Sequence, residues 1–334
     1  VIDSFSRIVR LGEWLIGSGS AVLATCGAMS SMAADEGSVV AFGGPAFGTY
    51  WRATLPSGAK ASDVRQVIED IIVAVAAAMS PYRPETEISQ FNAMQSFRPV
   101  PASPMFRIVV AESLRIAALT GGAFDPTVGP TVNRYGFGPI RGGTGARFSD
   151  IELLGDGAIA KTRTDATIDL CGIAKGYALD RIGEALDRRG HRVFVLELGG
   201  EVLARGTHPQ GRSWRIAIED PIADAARPRR IVRLDDMALA TSGTAANAYT
   251  VGGRRYSHII NPRRAAPADN LLASVSVIAR NAMQADALAT ALMALGLENG
   301  AEFATKHGIP ALMLVRQGER LREQAVAGFA SYVA

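Results

Sequence analysis

Asp169-Leu170-Cys171-Gly172-Ile173-Ala174-Lys175-Gly176-Tyr177 passes from a strand-like end through a glycine turn into a helix that carries a lysine in its first turn. Backbone N–H groups at a helix start have no intrahelical partner and attract anions, and Lys175 adds a full positive charge beside them. The spacing is not that of a Walker loop, and no Ser or Thr follows the lysine. A diphosphate contact suits this arrangement; a surface lysine beside an incidental turn is the plainer alternative.

The chain on either side of this segment reads as a mixture of strands and helices. Residues 48–55 alternate as a strand should and end at Pro56-Ser57-Gly58. Val64, Val67, Ile68, Ile71, Ile72 and Val75 fall at helical spacing, which predicts a helix over 62–79 with Ser62 as its N-cap. A second helix is predicted over 103–119, closed by Thr120-Gly121-Gly122. After a glycine-rich loop over 136–145, residues 167–170 read as a strand and 174–186 as a helix. The apolar run 192–198 ends in Gly199-Gly200 and predicts a buried strand with a tight turn. Short strands are expected at 214–218 and 231–234, then a strand over 272–279 and a helix over 283–295 stopped by Gly296. No repeat, low-complexity tract or linker interrupts this order. One continuous α+β catalytic unit over residues 39–334 is the economical reading.

At 334 residues, with 48% apolar and 20% charged side chains, the chain is long enough to bury a sizeable core. A net charge of +3, spread mostly over scattered arginines, argues against a nucleic-acid surface. The densest basic run, Arg227-Pro228-Arg229-Arg230, reads as a solvated loop. Arg7 and Arg10 precede an apolar, small-residue run that leads to Ser31-Met32-Ala33, after which Asp35 and Glu36 turn the chain polar. That order predicts a secretory signal over residues 1–34 and a periplasmic mature protein. Cys26 resembles a lipoprotein acylation site only loosely, because Thr25 precedes it, so a membrane link is expected only if Cys26 is lipidated. Without the leader a single cysteine is left, Cys171, which excludes an internal disulfide and a Cys-based metal site.

Three further segments combine polar groups with glycine or with a helical face. Gly121-Gly122-Ala123-Phe124-Asp125-Pro126-Thr127-Val128-Gly129-Pro130 has the makings of a rigid polar loop. Ala240-Thr241-Ser242-Gly243-Thr244 groups hydroxyls around a glycine, and Tyr256-Ser257-His258-Ile259-Ile260-Asn261-Pro262 follows shortly after. His258 stands before apolar residues, where a pKa near neutrality suits acid–base work, although a structural role is the commoner one. In Ala285-Asp286-Ala287-Leu288-Ala289-Thr290, Asp286 and Thr290 lie four apart on one helix face, and the surrounding Ala and Leu would bury them. A buried carboxylate needs a partner, and carboxylate, hydroxyl and carbonyl oxygens suit Mg²⁺. The alternative is an aspartate favouring the helix dipole and a threonine bonding backward to a carbonyl.

Taken in order, these segments resemble the ApbE family of FAD:protein FMN transferases. The resemblance runs from about Phe47 to Gly296 through Gly48-Thr49-Tyr50, Met79-Ser80-Pro81-Tyr82, Thr86 to Asn92, Gly122 to Gly138, Asp169 to Asp180, Leu198-Gly199-Gly200, Thr241-Ser242-Gly243, His258 to Pro262 and Ala285 to Leu292. It implies an ApbE-like fold related to the T-fold, with mixed sheets packed against helices. It also implies FAD contacts at Phe47, Tyr82, Ala123, Phe124, Asp125, Asp169, Lys175, Ser242 and Ile260. Tyr82 and Phe124 suit an aromatic ring, and Lys175 a diphosphate. Mg²⁺ would take the Gly172 and Ala289 carbonyls, the Asp286 carboxylate and the Thr290 hydroxyl.

The activity implied is attack by a target Ser or Thr hydroxyl on the FMN-side phosphorus, with AMP leaving. His258 and Asp286 are the two candidates for general base. The partner implied is a protein with an FMN-binding domain, of a membrane electron-transfer system. With water as acceptor the same site would be an FAD pyrophosphatase, and without turnover a periplasmic flavin carrier. Three departures flank the site. Arg263-Arg264-Ala265 stands where the family reads Arg-Thr-Gly, Glu197 where it often has Asn, and Thr244-Ala245-Ala246-Asn247 follows the Ser-Gly pair. Loss of the glycine at Ala265 is expected to alter that loop, because alanine is penalised at positive φ. The pattern is faintly similar to the NosX branch.

Overall fold

The strands of the main sheet pair here in the order in which they occur along the chain, some across tight turns and others across long helical segments and loops. The computed structural model describes residues 38–223, 227–244, 248–251, 254–268 and 271–334; the predicted leader lies outside the described residues. Eight strands form one sheet: β1 (Val39–Ala46), β2 (Thr49–Pro56), β3 (Phe194–Leu198), β4 (Glu201–Arg205), β5 (Ala238–Gly243), β6 (Leu272–Ala279), β7 (Ala311–Gln317) and β8 (Arg320–Val326). Every neighbouring pair is antiparallel. Among the described residues the helices are α1 (Ala61–Met79), α2 (Glu87–Ala93), α3 (Pro104–Leu119), α4 (Gly129–Arg134), α5 (Ala174–Arg188), α6 (Ala282–Leu295) and α7 (Leu297–Lys306). None of them is long and apolar enough to cross a membrane.

Alternation along the central strands covers both faces of the sheet. Leu203 points into the larger core with Ile182, Leu186, Leu292 and Val275, whereas its neighbours Val202 and Ala204 join a second core with Trp214, Val232, Leu234 and Phe329. The first core is roofed by α1, α5 and α6, the second by a hairpin of Trp214–Glu219 and Pro228–Leu234. β6 is buried along both faces, Ser274 and Ser276 included. Each Leu, Ile or Phe buried this way contributes roughly 1.5–3 kcal/mol.

The sheets and seven helices make the α+β fold that the residue pattern predicts, with local differences. α1 starts at Ala61, and Ser62 lies inside its first turn bonded to Asp63, so it is not the N-cap. Ser103 does cap α3, accepting the Phe106 N–H at 3.2 Å. Arg229 and Arg230 are not in a solvated loop: they sit on a strand and pair with Glu323, both at 2.6 Å.

Residues 167–170 form no strand; they are an extended segment held by a side chain. Asn92 donates to the Ile168 carbonyl at 2.8 Å and accepts the Ile168 N–H at 2.7 Å, copying the two bonds a strand partner would make. Asn92 is anchored in turn, because the buried Lys161 ammonium reaches the Asn92 and Met94 carbonyls and lies 4.8 Å from the centre of the Phe91 ring. Asp169 is therefore placed by a chain of contacts that begins at Lys161.

Burial lowers the Lys161 pKa from 10.5 to about 8. The unfolded chain keeps this proton to higher pH than the folded protein does, so this group's contribution makes stability rise between those two values. The stability difference between wild type and Lys161→Met should therefore change over that range and stay flat below it. Urea unfolding at a series of pH values would test this, and parallel curves would refute it.

Candidate active site

The site is built where α5 crosses the first turn of α6. Gly176 permits the approach: a Cβ there would overlap the Ala282 carbonyl and sit 2.7 Å from the Met283 Cα. Asp180, one turn further along α5, accepts the Ala282 and Met283 N–H groups at 2.8 and 2.9 Å. Those groups are orphan donors at the start of α6, so a side chain of one helix caps the other. Burial raises the Asp180 carboxyl to about 6, against the pull of the two N–H bonds. Asn281 caps the same end, accepting the Gln284 N–H at 2.8 Å.

This crossing brings the α5 start against the middle of α6. The Gly176 N–H donates to Asp286 Oδ2 at 3.1 Å, the one hydrogen bond the Asp286 side chain makes among the described residues. Asp286 is only 3% exposed, and burial raises its pKa while the Lys175 charge and the Gly176 N–H oppose the rise. Thr290, one turn on, does not bond backward along its helix; its Oγ1 lies 3.1 Å from Ser242 Oγ on β5. Gly172 faces the same hydroxyl. A Cβ on Gly172 would lie 3.2 Å from Thr290 Oγ1 and 3.4 Å from the Phe124 ring, filling the gap between them. Ala289 precedes Thr290 and is fully buried.

A charge cluster adjoins this cradle. Lys175 Nζ donates to Glu201 Oε1 at 2.7 Å, and Glu201 Oε2 is buried without a hydrogen-bond partner. Burial depresses Lys175, but the charges of Glu201 and Asp286 outweigh it and hold the ammonium above its ordinary value. Burial raises Glu201 and the Lys175 charge lowers it, with burial the stronger. Sequence reasoning stopped at Leu198-Gly199-Gly200 and missed Glu201, the first residue of β4. Its signal was a carboxylate wedged between a glycine turn and the apolar run Val202-Leu203-Ala204. The exposed Cys171 donates its N–H to Asp169 Oδ1 at 2.9 Å. Tyr82 is 67% exposed, and its hydroxyl is pushed up to about 12 by partial burial and by Cys171 and Asp169 beside it.

Other predicted residues take different positions. Phe124 is buried as a wall of the cradle beside Gly172, so it offers no open face for an aromatic ring. Both oxygens of Asp125 are engaged, Oδ1 by the Thr127 N–H and hydroxyl within the loop and Oδ2 by the N–H of the more distant Phe148. Ala123 is buried in the same loop, which leaves its backbone for any ligand contact. Phe47 sits at φ 49° at the tip of the β1–β2 hairpin, where Gly48 follows at φ 75°. A bulky residue in the left-handed region is strained. Thr49, next on the hairpin, packs against Gly199, which also neighbours the Lys175 stem.

His258 lies on another wall, after the hairpin of Ala248–Val251 and Arg254–Ser257, and its ring meets Phe137 edge-on at 6.3 Å. Tyr249 stacks between Phe137 and Tyr256 at 5.2 and 5.4 Å, tying that hairpin to the Gly136-Phe137-Gly138 loop. Ile260 is buried just beyond, and Asn261 donates to the Ala294 carbonyl of α6 at 3.2 Å. In the loop after it Ala265 adopts φ 46°, the left-handed region that alanine disfavours. The alanine bears the strain.

An α+β sheet-and-helix unit with a buried oxygen cradle beside a lysine at a helix start defines a class of site for phosphorylated ligands. The ApbE family model matches residues 47–313, and the chain belongs to that family. It is 35% identical to the FAD:protein FMN transferase of Vibrio cholerae over 87% of this chain and 91% of that one. The enzyme of the same name from Escherichia coli is 31% identical, over 87% and 88%. Among solved structures, the flavinyl transferase ApbE of Pseudomonas stutzeri in apo form superposes with a TM-score of 0.80 at 32% identity, covering 90% of this chain and 98% of that one.

Two substitutions test the local geometry. Gly176→Ala must force α5 and α6 apart and should cost about 1–3 kcal/mol, read from urea unfolding. Ala265→Gly should stabilise by about 0.5–1 kcal/mol, relief of left-handed strain outweighing the added unfolded-state entropy. An unchanged midpoint in either variant would contradict the backbone conformation described.

Proposed function

We propose that this chain transfers FMN from FAD to a Ser or Thr hydroxyl of a second protein and releases AMP. The observation that carries the reading is the match over nearly the whole length of relatives named FAD:protein FMN transferase. FAD would be held by Phe47 at the β1–β2 hairpin tip, by Tyr82, Asp169 and Lys175, and by Ser242 and Ile260. Lys175 gives one donor to Glu201, which leaves two N–H groups for the diphosphate.

Mg²⁺ fits the oxygens present. Asp286, Thr290 and the carbonyls of Gly172 and Ala289 would hold it, and its charge would neutralise the leaving diphosphate oxygens. A divalent cation would also offset the burial of the Asp286 carboxylate, and the space that a Gly172 Cβ would fill lies beside the Thr290 hydroxyl. The acceptor Oγ forms a new ester bond to the FMN phosphorus. The bond from that phosphorus to the bridging oxygen breaks, and AMP departs with that oxygen.

The hydroxyl proton passes to His258, which is partly exposed on the hairpin wall, whereas Asp286 is enclosed and engaged by Gly176. General-base help of this kind is typically worth about 10²–10⁴-fold. The acceptor would be an FMN-binding domain of a membrane electron-transfer system, met in the periplasm; the leader-like order of residues 1–34 supports export.

Incubating the protein with FAD, Mg²⁺ and an FMN-binding domain, then weighing that domain by mass spectrometry, tests the reading. An FMN-sized gain with AMP release is expected. AMP without the gain would mean a hydrolase, and intact bound FAD a carrier. Asp286→Ala should abolish the gain, and His258→Ala should reduce it by about 10²-fold or more.

A further inference from the structure

We propose that Glu201 is a positioning residue which sequesters the Lys175 ammonium and so keeps Asp286 available to a divalent cation; this rests on the metal-site reading above. Lys175 and Asp286 are carried by the two helices that cross at Gly176, and the charge of each acts on the other. Left alone, an ammonium beside a buried carboxylate pairs with it, because each is the nearest compensation for the other's desolvation. Such a pair would close the cradle and set a positive charge where a cation has to enter.

Glu201 prevents this by geometry. It is 2% exposed and starts β4 after the Gly199-Gly200 turn, whose residues have φ 59° and 100°. The turn sets the Glu201 carboxylate against Lys175 at 2.7 Å. Gly199 lies beside the Lys175 stem, since a Cβ on it would lie 3.6 Å from Lys175 Cδ. The Lys175–Glu201 pair is neutral as a unit and leaves the negative charge of Asp286 for the cation. The unpartnered Glu201 Oε2 fits a residue retained for where it puts charge, since a group serving stability alone would satisfy both oxygens.

The test uses Mn²⁺ as the probe, bound to the FAD-free full chain and followed by electron paramagnetic resonance and calorimetry. Glu201→Gln keeps the shape and removes the charge. It should weaken Mn²⁺ binding about tenfold or more, since a neighbouring cation changes a carboxylate's affinity for a proton by about 1–3 pKa units and competes with a metal through the same electrostatics. Glu201→Gln with Lys175→Met, which removes the ammonium as well, should restore affinity to at least the wild-type level. A purely structural role for Glu201 would predict no such rescue.

Asp286→Asn separates this proposal from the reading beneath it. If Asp286→Asn leaves Mn²⁺ binding intact, the metal site is misassigned and both fall. If Asp286→Asn abolishes binding while Glu201→Gln binds as wild type does, only the sequestering role fails. Should Glu201→Gln not fold, Lys175→Met alone decides: affinity at or above wild type supports the role, and a clear loss overturns it.

Discussion

The crossing of α5 over the start of α6 is the constraint on which the rest of the structure depends. Without a side chain at Gly176 the two backbones meet directly, and Asp180 converts that meeting into a fixed register by capping α6. Register matters because the groups of interest are distributed over both helices. Lys175 and the Gly176 N–H come from α5, while Asp286 and Thr290 come from α6. A slip of one residue on either helix would rotate these groups by about 100° and disperse them. The eight-stranded sheet supports the crossing from below, and β4 and β5 add Glu201 and Ser242 from neighbouring strands.

Placing Lys175, Glu201 and Asp286 together in a largely buried region is costly for stability. Hydrophobic residues of similar volume would often be as stable or more so. Charges retained under those conditions imply a function that needs them, and two negative groups beside one ammonium leave a net negative interior. A proton would only neutralise that balance, whereas the proposed divalent cation would leave one positive charge for a substrate diphosphate to meet. Asp180 differs: its two backbone bonds account for both oxygens, so its burial is explained by architecture alone.

Periodicity made most of the frame legible. Apolar spacing marked α1, α3 and α6 and the buried run of β6 because those residues face a core at regular intervals. The segment 167–170 was misread because its alternation is real while its partner is the amide of Asn92, and a side chain mimicking a strand leaves no periodic trace. Ser62 was misread because a capping residue is defined by where the helix starts, and Ala61 already takes helical geometry. Arg229 and Arg230 were read as solvated since Glu323, their partner, lies far along the chain. Within the site, Asp286, Thr290 and Lys175 could be found from spacing and chemistry. Glu201 stands out locally only as a carboxylate between a glycine turn and an apolar run, and its partner is fixed by a contact between α5 and β4 that no local pattern encodes.

The metal site proposed above would also explain why acidic clusters are a poor guide to hard cations. No group of three His, Cys, Asp or Glu side chains gathers as a ligand set among the described residues. Thr290 and Gly172 nevertheless face one small space beside Phe124, and Asp286 precedes Thr290 by one turn of α6. Mg²⁺ requires few protein carboxylates when a substrate diphosphate completes its shell. A site with more acidic side chains would repel that diphosphate, so a cation meant to be shared with a nucleotide favours a sparse set. One buried carboxylate and neutral oxygens, with the lysine charge balanced by Glu201, would meet that requirement in the proposed site. The same economy explains the glycine: a side chain at Gly172 would fill the gap between Phe124 and Thr290.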